Sequence, residues 1–551
     1  MFKGHPKGLY VAFFANMGER FGYYTMNGIF ALYLQAKFGY DAKTTSMITG
    51  AFLFGVYFLP LLGGFIADRF WGYTKTIRVG TLIMFAGYAL LAFPMGGNAG
   101  LYLLIGALTT IALGTGFFKG NLQALVGRLY DTKQYSKLRD NAFNLFYMGI
   151  NVGAFLAPSA AQAVNNWILK GAGYSYDAKI PALAHQYLNG TLANTSELST
   201  LAAQQGAANI DLTLFCTQYI ETLSKSYNYA FGVAAISMIL SLLIFVAFRK
   251  HYQQADIAIA GNKVDSLIEV EELTPQQTKE RFMALGLVFV VVIFFWMSFH
   301  QNVLTMTFFA RDYTQSSVGP YTYIWFNLPA LLSIITIVAG GYFLIAKGKA
   351  MRRLIGGVAA GVGTAGAVYF IAQHAAINPI SPQLFQQFNP LYIVFLTPLV
   401  IGLFSMLEKR GISLSAPRKI GIGMLITAVA FSILIFGSMG LKSPHDLGGN
   451  VSSDLVSPYW LITTYFTLTI AELFLSPMGI SFVSKVAPPK YKGMMMGGWF
   501  AATAIGNMLV GVVGLFWSFL PVWGVWAVLV TMCLLSATFM FSILKKLEKI
   551  S

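Results

Sequence analysis

Ala15-Asn16-Met17-Gly18-Glu19-Arg20-Phe21-Gly22-Tyr23-Tyr24 sets a carboxylate beside a guanidinium inside the first long apolar segment of the chain, residues 9–36. An ionised side chain at the centre of a bilayer costs at least about 2.5 to 3.5 kcal/mol, so such a pair persists only facing a bundle interior, with a partner and a task. The remaining composition makes this a membrane question. Of 551 residues, 56% are hydrophobic and only 11% charged, with mean hydropathy +0.63, whereas soluble globular domains carry about 25% charged residues. Apolar stretches of the roughly 20 residues needed to cross a hydrocarbon core recur from end to end. The expected fold class is an all-α membrane protein.

The net charge of +16 raises the question of a nucleic-acid partner, and its placement answers it. Fourteen spans are expected, running from 9–36 to 521–544. Alternate loops then hold 28 Lys and Arg on one side and 7 on the other, with Arg20 and Lys119 left inside the membrane. By the positive-inside rule both termini are cytoplasmic, and the basic balance reflects topology in a cell inner membrane. No nucleic-acid partner is expected, the lipid bilayer being the surrounding medium. Cys216 and Cys533, the only cysteines, do not suggest a disulfide framework.

Six spans precede a charged stretch, 250–281, read as a cytoplasmic linker, and eight follow it. The economical reading is an N-terminal six-helix bundle over 1–249 and a C-terminal one over 282–551 with an inserted helix pair at about 322–375. Two similar halves with a site between them at mid-membrane is a recurrent transporter plan. The inserted pair, 322–346 and 354–375, has no acid or base away from its span ends and is rich in Gly and Ala, which suits close helix packing at the periphery.

Away from the span ends, the intramembrane titratable groups are Glu19, Arg20, Lys119, His300 and Glu472. The first three sum to +1 in the N-terminal half, and Glu472 contributes −1 in the C-terminal half. Two such walls facing one cavity form a field that suits a zwitterion. Tyr23, Tyr24, Tyr57, Asn151, Trp296, Gln301, Asn389, Ser476 and Trp499 are candidate lining residues.

The motifs around them resemble those of the proton-dependent oligopeptide transporter family of the major facilitator superfamily. Glu19-Arg20-Phe21-Gly22-Tyr23-Tyr24 is similar to the family's E-x-x-E-R-F-x-Y-Y, and Gly63 to Tyr73, with Asp68 and Arg69, to the superfamily's gating signature. Phe146-Tyr147-Met148-Gly149-Ile150-Asn151-Val152-Gly153 matches the fifth-helix motif. Phe295-Trp296 with Gln301, Asn389-Pro390, Glu472 to Gly479 and Gly498-Trp499-Phe500 follow in the family's order. The resemblance implies a major facilitator fold of two six-helix bundles plus one extra transmembrane helix pair. Its implied activity is import of di- and tripeptides with protons by alternating access, without a cofactor and with a monomer able to function. By position, Arg20 and Lys119 would face the peptide carboxylate, and Asn151, Asn389 and Glu472 its amino terminus. Tyr24, Tyr57, Trp296 and Trp499 would line side-chain pockets.

Three departures bear on coupling. Asn16 stands where the motif's first Glu belongs, His300 stands where the seventh helix usually has an acid, and the extra pair follows the seventh helix. Since Asn16 cannot titrate, proton coupling falls to Glu19, His300 and Glu472, with Arg20 and Lys119 as their charged neighbours; of the side-chain types, an unperturbed imidazole, at about 6.5, lies nearest the working pH range. The rival within transport is a facilitator or exchanger of another small anionic or drug-like solute. An enzyme is not expected: His300 has no second intramembrane His, no metal-ligand spacing appears, and no phosphate-binding Gly-rich loop is present.

Overall fold

The computed structural model describes residues 4–94, 96–131, 134–207, 211–253, 273–345, 350–488 and 491–550. Its long helices are α1 (Lys7–Phe38), α2 (Ala42–Ile66), α3 (Gly72–Ala92), α4 (Gly97–Arg128), α5 (Arg139–Gly171) and α6 (Leu212–Ala247). After them come α7 (Pro275–Phe299), α8 (Leu328–Ile345), α9 (Ala350–Gln373), α10 (Phe388–Lys409), α11 (Ala416–Gly437), α12 (Tyr459–Val486), α13 (Lys492–Phe516) and α14 (Val522–Ser542). Eleven described segments are long and apolar enough to span, and one of them, Ala42–Ala92, contains both α2 and α3. The long helices α1 and α5 are the more polar ones, carrying Glu19, Arg20 and Asn151.

Two boundaries differ from the sequence reading. The sixth helix begins at Leu212, well before residue 227, because Asp211 caps it by accepting from the N–H groups of Thr213 and Leu214. The preceding loop is partly helical, with turns at Ile180–Leu188 and Ser196–Gln204. The seventh helix begins at Pro275, inside the expected linker, where Thr274 and Gln277 form a reciprocal capping box. Most of that linker, 254–272, lies outside the described residues. The seventh span is also not one helix: α7 stops at Phe299, a 3-10 turn occupies His300–Val303, and a short helix resumes over Thr305–Asp312.

Packing falls into two groups. Helix α1 lies on α5 and α6, α2 on α4, and α3 on α4 and α6; α11 lies on α12 and α14, α7 on α13, and α10 on α12. The groups meet mainly through α2 against α13 and α5 against α10. Gly50 and Gly511 make the first contact possible, since a Cβ on Gly50 would stand 2.9 Å from the Gly511 Cα. Antiparallel α2 and α13 also bring Leu61 beside Gly497, which puts the chain termini of both groups at the same end of the molecule.

The opposite, far end is laced shut. Ser159 donates to Gln387 at 3.0 Å, Gln383 to Gln162 at 2.5 Å, and Gln386 to the Gly28 carbonyl at 3.3 Å. Arg311 reaches Gln35, and Gln186 of the loop reaches the Gly448 carbonyl at 3.0 Å. These contacts all cross between the groups. The ion pairs seen between described residues, among them Glu19–Arg20, Arg311–Asp312 and Arg418–Glu548, each lie within one group.

The inserted pair is a closed excursion. Strands β1 (Ser317–Val318) and β2 (Asn378–Pro379) pair antiparallel and clip its base, and Phe326 seats it against Phe385 and Phe388. Beyond the base, α8 and α9 pack on each other: a Cβ on Gly340 would stand 2.5 Å from Ala360 N, and one on Gly356 would stand 2.8 Å from the Gly340 carbonyl. Of the most apolar 18-residue stretch of each, only 17% is buried, against 56% for those of α4, α11 and α12, so this hairpin sits at the edge of the molecule.

Candidate functional site

On α1, Arg20, Tyr23, Tyr24 and Asn27 recur at the spacing that puts four side chains on one face of a helix. That face turns inward because α5 approaches α1 closely. A Cβ on Gly153 would stand 2.5 Å from the Met17 carbonyl and 3.4 Å from the Arg20 Cβ, so only a residue without one lets the backbones meet here. Arg20 is bound bidentately by its neighbour, Nε to Glu19 at 2.5 Å and Nη2 to the other carboxylate oxygen at 3.0 Å. Both are buried, Glu19 completely. The pair is therefore close to neutral as seen from the cavity, although Arg20 still touches it. Its guanidinium also lies 5.3 Å from the Tyr23 ring.

Lys119, on α4, is in a different condition. Its Nζ stands 3.4 Å from the centre of the Tyr57 ring, a cation–π contact, and no described carboxylate pairs with it. The surplus positive charge expected from the sequence is thus localised on Lys119.

The acidic wall is built from α12, α10 and α5. Glu472, 7% exposed, accepts from Asn389 Nδ2 at 2.9 Å and from the Tyr147 hydroxyl at 3.2 Å. Asn389 is itself oriented by donating to Thr469 at 3.1 Å. Both partners of the carboxylate are neutral. Tyr147 reaches Glu472 from the other helix group, so this hydrogen bond between two cavity-lining side chains crosses between the groups. Asn151, one turn further along α5, lines the same wall with its amide donating to the Tyr147 carbonyl at 3.0 Å.

Between these walls lies a cavity of about 170 Å³. It is lined by Arg20, Tyr23, Tyr24, Tyr57, Lys119, Asn151, Trp296, His300, Asn389, Glu472, Ser476 and Trp499. The outer edge of the Trp499 ring packs against α12 where Gly479 leaves room: a Cβ there would fall 2.0 Å from it. His300 stacks on Trp296 at 4.8 Å between ring centres. Three buried polar atoms of lining residues have no described partner, Asn27 Oδ1, Asn302 Oδ1 and Trp296 Nε1.

One lining residue expected from the sequence does not reach this space. Gln301 is fully buried and turned into α13: it donates to the Met297 carbonyl at 3.1 Å and the Val510 carbonyl at 3.4 Å, and accepts from Thr305 at 2.7 Å. The 3-10 turn sends His300 toward the cavity and its successor away. Glu19 lies behind Arg20 and does not line the cavity. Asp68 and Arg69, in the π-helical turn Ala67–Trp71 at the terminal end, do not pair with each other; Asp68 accepts from Tyr73 at 2.8 Å and Arg69 lies 6.0 Å from the rings of Phe65 and Phe70. Conversely, sequence reasoning passed over Tyr147, Asn27, Asn302 and Gln386 as lining residues. Asn27 and Tyr147 had a signal: each lies on the helical face already marked by Arg20 and Tyr23 or by Asn151.

Comparison with known proteins follows this geometry. The model of the POT family matches residues 74–270 and 359–518. The peptide transporter YePEPT of Yersinia enterocolitica subsp. palearctica is 26% identical over 93% of this chain and 88% of its own. Dipeptide and tripeptide permease A of Escherichia coli K12 is 25% identical over 92% and 84%. The uncharacterized transporter YclF of Bacillus subtilis 168 is 28% identical over 93% and 88%. Among solved structures, peptide transporter POT in complex with sulfate aligns with a TM-score of 0.65 at 23% identity, covering 100% of this chain and 96% of that one. With the family model covering well over half of its length, this chain belongs to the POT family, the proton-dependent oligopeptide transporters.

Proposed function

We propose that this protein carries di- and tripeptides across a membrane by alternating access, coupled to protons and directed into the cell. The observation that carries the reading is the pair of charges in one small cavity: among the described residues, Lys119 has no carboxylate partner and Glu472 is held only by neutral donors. A zwitterion with its carboxylate at Lys119 and its ammonium at Glu472 completes both, and charge-assisted hydrogen bonds in a dehydrated site are the strong ones. About 170 Å³, below the roughly 300–1,000 Å³ of drug-sized pockets, favours small peptides. The test is uptake of a labelled dipeptide into proteoliposomes with and without an imposed proton gradient. Gradient-driven accumulation, competed by di- and tripeptides and not by single amino acids, is expected.

A second reading, a facilitator or exchanger of another small solute, is favoured by one position. Asn16 is buried with its Nδ2 unpartnered by any described residue, and it cannot carry a proton. Gradient-independent uptake would select that reading.

A further inference from the structure

The break in the seventh span falls at His300, which lines the cavity, and a mid-helix 3-10 turn often marks a functional position. Its ring is held on several sides. Trp296 stacks on one face at 21°, Phe299 meets it edge-on at 5.5 Å, and Tyr57 of α2 lies at 5.7 Å. From α13, Asn507 makes a hydrogen bond to Nδ1 through its Oδ1. This contact is built into the backbone. Gly506, the residue before, brings α13 against α7 so closely that a Cβ would stand 2.5 Å from the Ile293 carbonyl and 3.0 Å from the Trp296 Cβ. Asn507 is fully buried, and its Nδ2 has no described partner.

The ring's Nε2 makes no hydrogen bond to a described residue, and His300 is a cavity residue. The charged and titratable groups around it are Lys119 of α4, Tyr57 of α2 and the Glu19–Arg20 pair of α1. Glu472 stands on the acidic wall of the same cavity. No carboxylate touches the imidazole among the described residues.

We propose that Asn507 is the positioning residue of a proton site at His300, fixing the tautomer so that protons are exchanged at Nε2 on the cavity side. This rests on the reading that uptake is proton-coupled. An amide oxygen only accepts, so it holds the proton of the neutral ring on Nδ1 and leaves the lone pair on Nε2. A proton arriving from the cavity adds to that lone pair, giving an imidazolium whose Nδ1–H is still on the Asn507 oxygen; on return the Nε2–H bond breaks and its electrons stay on nitrogen. The reverse amide orientation would serve only the other neutral tautomer, since an imidazolium has no acceptor nitrogen. The oxygen-facing orientation therefore satisfies both states without a flip, and a ring nitrogen set by its partner is the usual way such a tautomer is chosen.

The experiment measures dialanine uptake against pH under an imposed proton gradient, together with dialanine exchange at zero gradient, for the wild type, Asn507→Asp, Asn507→Leu and His300→Gln. Asn507→Asp is nearly isosteric and puts a carboxylate on Nδ1–H. The midpoint of the pH profile is expected to move upward by about 1–3 units, the size of shift an adjacent opposite charge produces. Asn507→Leu removes the acceptor, and driven uptake should fall while exchange is retained. A wild-type profile in Asn507→Asp, with His300→Gln altering it, would overturn the positioning role alone. Driven uptake and profile unchanged in His300→Gln would overturn the proton site, and the role of Asn507 with it.

Discussion

Lys119 and Glu472 carry opposite charges into one cavity, and neither has an ionic partner among the described residues, so their loss should be felt through the ligand. Glu472→Gln keeps the hydrogen bond from Asn389 within reach and removes the charge. It is expected to weaken a free dipeptide by about 1.5–3 kcal/mol, the value of a hydrogen bond to a charged group, while an N-acetylated dipeptide loses little. Competition binding of the two ligands checks this, and equal losses would contradict it. Gln301 gives the opposite case. Its amide ties α7 to the backbone of α13 at Val510, away from the cavity. Gln301→Leu should lower thermal stability in detergent, leaving buried partners unmet at about 1–3 kcal/mol, with KM for dipeptide unchanged; a raised KM would return Gln301 to the site. The contrast explains what the sequence could reveal at this scale. Charges isolated in apolar helices are visible without a structure, because burial is costly wherever they point. The direction of an uncharged Gln is not visible, since one residue of 3-10 turn decides between cavity and core.

At the scale of elements, the long apolar segments were legible because the bilayer demands length and apolarity. Their ends were not. Asp211 and Thr274 start α6 and α7 earlier than hydropathy suggests, since a capped helix continues through polar residues that hydropathy counts as loop. The 3-10 break at His300–Val303 also went unseen, having no Gly or Pro to announce it. The α8–α9 hairpin shows the converse, where small residues in the sequence correspond to real backbone contact. Gly340→Leu would force a side chain against Ala360, where the added Cβ alone would lie 2.5 Å from its backbone nitrogen. Overpacking of this kind costs about 1–3 kcal/mol. Because no described residue of the hairpin lines the cavity, the expected outcome is a lower melting temperature with an unaltered KM. A changed KM in a folded variant would tie the hairpin to transport.

For the whole molecule, the arrangement is a cavity shut toward the far end by side chains on the segment Pro382–Gln387. That segment runs directly into α10, where Asn389 holds Glu472, so the seal and the acidic wall belong to one continuous stretch of chain. Replacing Gln383 and Gln387 with Leu removes the bonds to Gln162 and Ser159. Each neutral bond contributes about 0.5–1.5 kcal/mol, so the double variant should shift the population toward a far-end-open form by tenfold or so. Spin labels on Leu188 and Lys442, exposed on opposite groups, would report it as a new longer distance; unchanged distances would assign closure to helix packing instead. The chemistry of this seal has a consequence for the medium in which the protein works. Amides and hydroxyls present no net charge for an ion atmosphere to screen, and the one guanidinium among them, Arg311, meets an uncharged Gln35 while its own countercharge, Asp312, travels with it. Screening over the Debye length, about 10 Å at 0.1 M and 3 Å at 1 M, therefore has little to act upon. Dilute or briny surroundings should leave the balance of open and closed forms in the same place.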